Sequence, residues 1–263
     1  KAQVAMFGLC LCLCFFTLQT VAARPLHANH FFYNPNNTDL FEGDIMVRNT
    51  TQKKRFDTYT VVKDETLLWP EGKVFYKIDD GFDSDMDRKV ILDGIKLLQS
   101  KTCVKFIERT DEENYVLIAP RPGRCASFVG MQGEEQAVAL DLYHCPNVGQ
   151  VVHELMHAIG FFHEHSRPDR DSYVSVQWSN IQEDARKSFE LKTELIADTL
   201  GQPYDYESVM HYPQDAFSKS PPTPTLIPKS ADIDPATLGK GYLEDFLTDT
   251  DIIKVKLLYG CVK

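Results

Sequence analysis

The sequence has no surplus of positive charge. Its 28 Lys and Arg stand against 38 Asp and Glu, a formal net charge of −10. Residues 1–55 hold six basic and three acidic residues, which leaves 22 basic against 35 acidic in the remainder, a net of −13. An acidic body argues against non-specific nucleic-acid binding, so no nucleic-acid partner is expected. No internal repeat is visible, which argues against a repeat array. Beyond the first two dozen residues no apolar run is long enough to cross a bilayer. Cysteine is also scarce: of seven, Cys10, Cys12 and Cys14 lie inside the N-terminal apolar run, leaving Cys103, Cys125, Cys145 and Cys261. In a secreted protein four cysteines imply two bridges, with three possible pairings.

What is present begins with processing signals. Residues 1–23 read as a secretory signal, with one basic residue, an apolar core over 4–18 and the small residues Val21-Ala22-Ala23 before Arg24. The core is short and broken by Thr17, Gln19 and Thr20, which favours a cleaved signal over a membrane anchor. Residues 24–59 are polar and loop-like, with glycosylation sequons at Asn36 and Asn49. Lys53-Lys54-Arg55 is a basic run of the kind that processing proteases cut, though an ordinary charged loop looks the same. This segment is read as a removable prosegment, which calls for an activating protease. Residues 60–263 are then one globular domain of ordinary size.

In that body, Val74, Tyr76 and Ile78 alternate with Lys73, Phe75 and Lys77, a strand pattern. Ser84 with Asp87 three residues on reads as a helix start, followed by Ile91, Ile95 and Leu98 on one face. Strands are expected over 104–108, 115–119 and 137–142. A helix is expected from Asn180, as cap, to about Leu200. Residues 218–235, rich in Pro, Ser and Thr, read as an irregular surface stretch. A last helix opens at Thr248, with Ile252, Val255 and Tyr259 at helical spacing. The expected class is α+β: an N-terminal lobe with a twisted sheet and two helices, then a largely irregular C-terminal lobe closed by a terminal helix.

The chemistry concentrates in 153–171, which begins His153-Glu154-Leu155-Met156-His157-Ala158-Ile159-Gly160-Phe161-Phe162-His163. Two histidines four apart share one helix face and can grip one ion. On a wheel of 100° per residue, Val148, Val152, Leu155 and Ile159 form a core stripe, with His153 and His157 opposite and Glu154 between. Gly160 can adopt the left-handed backbone of a sharp turn, which brings His163 back as a third ligand. Three neutral imidazoles leave one tetrahedral position of Zn²⁺ for water, as in catalytic rather than structural sites. Glu154 can then act as general base. A bare His-Glu-x-x-His can arise by chance on an amphipathic helix; the longer pattern is the metzincin signature, which also requires a Met-turn.

The candidate for that turn is Ser208-Val209-Met210-His211-Tyr212. Met210 alone would read as core filling. Tyr212 would stand near the metal, where a phenol can ligate zinc or donate a hydrogen bond to an oxyanion. His211 is a competing fourth ligand on residue type alone.

These residues resemble the astacin family of zinc metalloendopeptidases. The resemblance runs over about 60–263. It includes Glu164 and Arg167-Pro168-Asp169-Arg170-Asp171 in the extended zinc motif, Leu68-Trp69-Pro70 at the start and Leu258-Tyr259-Gly260-Cys261 at the end. It implies His153, His157 and His163 as zinc ligands, Glu154 as base, and Tyr212 as a further ligand that swings to stabilise the transition state. It implies the pairs Cys103 with Cys261 and Cys125 with Cys145. The segment from Cys125 to about Leu140 resembles the lobe edge that takes substrate backbone by strand addition; Glu134-Glu135 depart from the glycines many relatives carry there. Phe41-Glu42-Gly43-Asp44 resembles the latency motif, in which Asp44 ligates zinc in place of water. The freed mature N-terminus would pair with Glu164. The family's spacing puts that terminus near Thr60, yet Tyr59 precedes it and the nearer basic site is Arg55.

The expected product is a secreted endopeptidase made as a zymogen, acting on protein or peptide substrates, without a membrane anchor when mature, and monomeric. Only Val262 and Lys263 follow Cys261, so no adhesion module is expected within this sequence. The competing reading is an inactive fold that holds zinc and binds peptides; Glu154 and Tyr212, both present, argue against it.

Overall fold

A computed structural model describes residues 40–48, 65–145, 147–192 and 199–261. The signal peptide, both sequons, the basic run and the expected start of the mature chain lie outside the described residues.

The N-terminal lobe is a five-stranded sheet carrying two helices. In chain order it comprises β1 (Lys73–Ile78), α1 (Asp85–Lys101), β2 (Lys105–Glu108), β3 (Tyr115–Pro120), β4 (Ala126–Ser127), β5 (Glu135–Leu140) and α2 (Val148–Ala158). The strand order is β2-β1-β3-β5-β4. The first four run parallel, and β4 is antiparallel at the edge. The expected strands and helices are found, with ends shifted by a residue or two. Ser84 caps α1 by accepting the Met86 N–H at 3.2 Å, and Ile91, Ile95 and Leu98 are buried. They pack with Val116, Ile118, Val138 and Leu140 of the sheet and Val151, Val152, Leu155 and Met156 of α2 in one core.

The C-terminal lobe comprises β6 (Val174–Val176), β7 (Leu226–Pro228), the short α3 (Lys240–Leu243) and the terminal α4 (Asp249–Leu258), joined by turns. It has its own core, built on Phe189, Tyr204, Tyr212, Leu226 and Leu238. Disulfides join Cys103 to Cys261 and Cys125 to Cys145, the pairing the resemblance implied; the first ties the end of α4 to the N-terminal lobe.

Two expectations fail in this lobe. The helix from Asn180 does not form. Residues 178–180 and 183–189 make 3₁₀ turns, and Glu190 is already extended. The backbone there is claimed by a neighbouring segment: Ile181 bridges Ser218, Gln182 N–H donates to Phe217 O at 3.0 Å, and Asn180 O accepts from Lys219 at 2.8 Å. Asn180 is therefore not a cap; its side-chain amide donates to Pro224 O at 2.8 Å. Nor is 218–235 wholly irregular surface. It contains β7, which pairs antiparallel with β6, and Thr225 and Leu226 are fully buried. Composition marked the turns there, but the tertiary pairing is non-local.

Candidate active site

Helix α2 carries the two histidines, and both of its ends are pinned. At the N-terminus Asp245 accepts the Gly149 N–H at 2.6 Å, a carboxylate at the helix's positive end. At the C-terminus Trp69 Nε1 donates to Ala158 O at 2.8 Å and Tyr259 Oη to Ile159 O at 2.9 Å. These carbonyls would otherwise lack partners. Trp69→Phe keeps an aromatic ring and deletes the donor, so it should cost about 1–3 kcal/mol of stability through an unsatisfied buried carbonyl; a denaturant titration with unchanged midpoint would contradict this. Gly160, at φ 110°, turns the chain after the helix. Helix α2 has the expected core stripe on one side and its two histidines on the other, and the histidine side is buried too: every residue from Gly149 to Ala158 is buried. The front is covered by segment 40–48 and the turn at 208–212.

Three imidazoles meet there. His153, His157 and His163 are at most 1% exposed, as is Asp44. One ligand atom from each of the four lies within 4.8 Å of the others. His153 Nδ1 faces Val209 O at 2.7 Å and His157 Nδ1 faces Phe161 O at 2.6 Å. A carbonyl oxygen only accepts, so both Nδ1 atoms carry the proton. Each Nε2 is then left as an acceptor when the ring is neutral. His163 Nδ1 lies 2.8 Å from Glu42 Oε2. The three Nε2 atoms converge on the Asp44 carboxylate, at 3.0 Å for His153, 3.5 Å for His157 and 3.3 Å for His163.

Acceptors facing acceptors in a buried space call for a cation. His157 Nε2 and Asp44 Oδ1 have no hydrogen-bond partner in the protein. Three imidazole nitrogens and a carboxylate oxygen, each imidazole fixed through its other nitrogen, are a donor set that fits Zn²⁺. Glu154 adjoins the cluster. It is 1% exposed and its Oε2 lacks a protein partner. Burial and the nearby Asp44 charge hold its carboxyl well above the usual range.

The turn at 208–212 lies beneath. Asp251 of α4 fixes it, accepting Ser208 Oγ at 2.6 Å and Val209 N–H at 3.0 Å. Met210 is buried in the N-terminal core, and its carbonyl accepts Glu164 N–H at 2.9 Å. His211, the competing ligand, is used elsewhere: its Nδ1 donates to Tyr212 O at 2.6 Å and its Nε2 accepts Tyr204 Oη at 2.7 Å. Tyr212 belongs to the C-terminal core and is fully buried. Its hydroxyl donates to the Glu42 carbonyl at 2.7 Å. Its ring stacks on His165 with centroids 3.5 Å apart. The Glu164 carboxylate meets Lys254 at 2.6 Å, Arg167 at 2.8 Å and the Asp205 N–H at 3.0 Å. The charged run after His163 is thus a brace: Arg167 also grips Asp169, and Arg170 donates to His165 O at 3.0 Å.

Segment 40–48 lies in the cleft. Glu42 and Gly43 have φ of 46° and 81°, and Phe41 and Ile45 exchange two backbone hydrogen bonds across this turn. A Cβ on Gly43 would come within 2.5 Å of the Phe217 ring. Ile45 then runs parallel to the edge strand β4: Asp44 O accepts Ser127 N–H at 3.0 Å, and Met46 N–H donates to Ser127 O at 2.8 Å. Arg48 donates to Gly133 O and Glu135 O at 2.9 and 3.1 Å. The Glu134-Glu135 pair therefore sits beside this anchor, and Tyr115 Oη donates to the Glu135 carboxylate. Sequence reading gave no individual role to Glu42, His165, Lys192 or Lys254, nor to Trp69 and Tyr259 as hydrogen-bond donors. No spacing reports these roles, because each acts on a partner distant in sequence.

A three-histidine cluster with an adjoining glutamate, set over a methionine turn between two lobes, defines a zinc metallopeptidase catalytic domain. Among known families, the profile described as Astacin, a peptidase family, matches residues 61–260. The chain belongs to the astacin family. It is 38% identical over 250 residues to zinc metalloproteinase nas-14 of Caenorhabditis elegans, covering 86% of this chain and 48% of that one. It is 34% identical over 236 residues to low choriolytic enzyme of Oryzias latipes, covering 87% and 80%. Among solved structures, the high choriolytic enzyme 1 of Oryzias latipes, a hatching-enzyme zinc protease, superposes with a TM-score of 0.69 at 30% identity, over 77% of this chain and all of that one.

Proposed function

We propose that this protein is a secreted endopeptidase, made as a zymogen that Asp44 keeps silent, and that it hydrolyses peptide bonds in proteins. The observation that carries the reading is the convergence of three histidines on one buried carboxylate supplied by a segment distant in sequence. Residues 1–23 are taken as signal, 24–59 as prosegment and 60–263 as the catalytic domain.

His153, His157 and His163 would hold the ion, with Met210 beneath them. When bound by these three imidazoles, zinc would lower the pKa of a water and act as a Lewis acid toward the scissile carbonyl. Glu154 takes the proton of the attacking water and returns it to the departing amine. The edge of β4, now occupied by 44–46, would take the substrate backbone by strand addition. Tyr212 is held by the Glu42 carbonyl in the latent form. Loss of the prosegment frees its hydroxyl to approach the ion as a further ligand, or to donate to the oxyanion during turnover. Tyr212→Phe should lower kcat of the processed enzyme about 10²–10³-fold with KM little changed; a wild-type kcat would remove the tyrosine from the mechanism.

A freed N-terminus pairing with Glu164 would have to compete with Lys254 and Arg167, which already balance that charge. N-terminal sequencing of the active form decides where the cut falls; a start upstream of Asp44 would contradict latency by this residue. Asn36 and Asn49 are the proposed glycosylation sites, removed with the prosegment. The activity itself is tested by cleavage of a generic protein substrate by the processed form. Cleavage should stop with a chelator and return with Zn²⁺; chelator-resistant cleavage would overturn the assignment.

A further inference from the structure

Glu42 is the one carboxylate among the described residues that bonds a cluster histidine from outside the metal position. Its Oε2 lies 2.8 Å from His163 Nδ1 and its Oε1 2.6 Å from Lys192 Nζ. All three side chains are at least 97% buried, and the Lys192 ammonium sits 3.9 Å from the Phe41 ring centre. The backbone at Glu42 is left-handed, a conformation that non-glycine residues hold only where surrounding structure enforces it. That turn brings Glu42 and Asp44 to the same cluster. His153 and His157 instead are oriented by carbonyls of the catalytic body, Val209 and Phe161, which remain after processing.

We propose that Glu42, with Lys192 as its receptor, makes the prosegment a metal-retention clamp, so that the latent protein holds zinc more tightly than the processed enzyme does. The reading rests on the zinc site and latency proposed above. A carboxylate accepting the outer N–H of a ligating histidine fixes the ring and raises its basicity; losing such a partner typically costs 10–100-fold in metal affinity. Asp44 adds a direct oxygen ligand, so the prosegment acts at the ion twice. Removal of the prosegment withdraws both groups together, and the ion becomes exchangeable as the enzyme becomes active. Lys192 balances the buried Glu42 charge and sets its position; it is a positioning residue, two steps from the ion.

The test uses the full-length precursor loaded with zinc. Zinc per chain is measured by mass spectrometry, its loss rate by transfer to excess 4-(2-pyridylazo)resorcinol, and peptidase activity in the same samples. Glu42→Gln, which keeps the side-chain shape, should lose zinc about 10–100-fold faster than the parent while remaining silent. Lys192→Met should shift the rate in the same direction, and it serves if the first variant does not fold. Asp44→Asn should both lose zinc faster and gain activity. Parental loss rates in Glu42→Gln and Lys192→Met, with one zinc bound, would overturn the clamp and leave the proposed function standing. Activity in Glu42→Gln equal to that of Asp44→Asn would also overturn it, since Glu42 would then only fasten the segment. A folded precursor that takes up no zinc would overturn both.

Discussion

Replacing Glu154 by glutamine should lower peptide cleavage by the processed enzyme about 10²–10⁴-fold, the usual contribution of a general base, and leave its zinc content unchanged. Glutamine keeps the volume of a buried side chain packed on α2 but cannot take a proton. The geometry places no other role on the carboxylate. It is buried beside the cluster, one of its oxygens lacks a protein partner, and among the described residues the structure shows no side chain hydrogen-bonding it into the fold. Folding and metal binding should therefore survive. Steady-state kinetics with zinc analysis on the same preparation checks the claim; cleavage at the parental rate would end the mechanism. Loss of zinc along with activity would show instead that Glu154 supports the site structurally.

Replacing Asp44 by alanine should have the opposite effect, raising the activity of the uncut precursor at least tenfold, equivalent to about 1.4 kcal/mol of lost latching free energy. Asp44 is fully buried against three imidazoles, and under the proposed latency it stands in for the hydrolytic water. Phe41, Ile45 and Arg48 would still hold the segment in the cleft, through their own packing and hydrogen bonds. The gain should therefore be smaller than that produced by cutting the chain. A precursor as silent as the parent, with processed enzyme of full activity, would mean that bulk in the cleft rather than the carboxylate enforces latency.

Local patterns carried most of the chemistry. His153, His157 and Gly160 can be placed from helical periodicity and turn preference alone, because their geometry is set within one helix and the bend after it. His163, Glu154 and the turn at 208–212 needed the longer motif. The α+β class and two lobes were likewise legible, since β1 and α1 carry their own periodicity and β3 and β5 contain short apolar runs. The rest was decided between distant residues. The helix expected from Asn180 gave way to 3₁₀ turns because residues 217–219 pair with its backbone. The buried face of α2 extends all round because a segment more than a hundred residues away covers the histidines. The acceptors that orient His153 and His163, Val209 O and Glu42, are 56 and 121 positions distant. No spacing rule reaches that far.

X-ray absorption at the zinc edge of the processed protein tests the central claim most directly. Three imidazoles from His153, His157 and His163 with one or two oxygen neighbours should give a first shell of nitrogen and oxygen at about 2.0–2.2 Å, without sulfur. The outer-shell scattering should require three imidazole rings. Sulfur in the first shell, or a site fitted by fewer than three rings, would contradict the account.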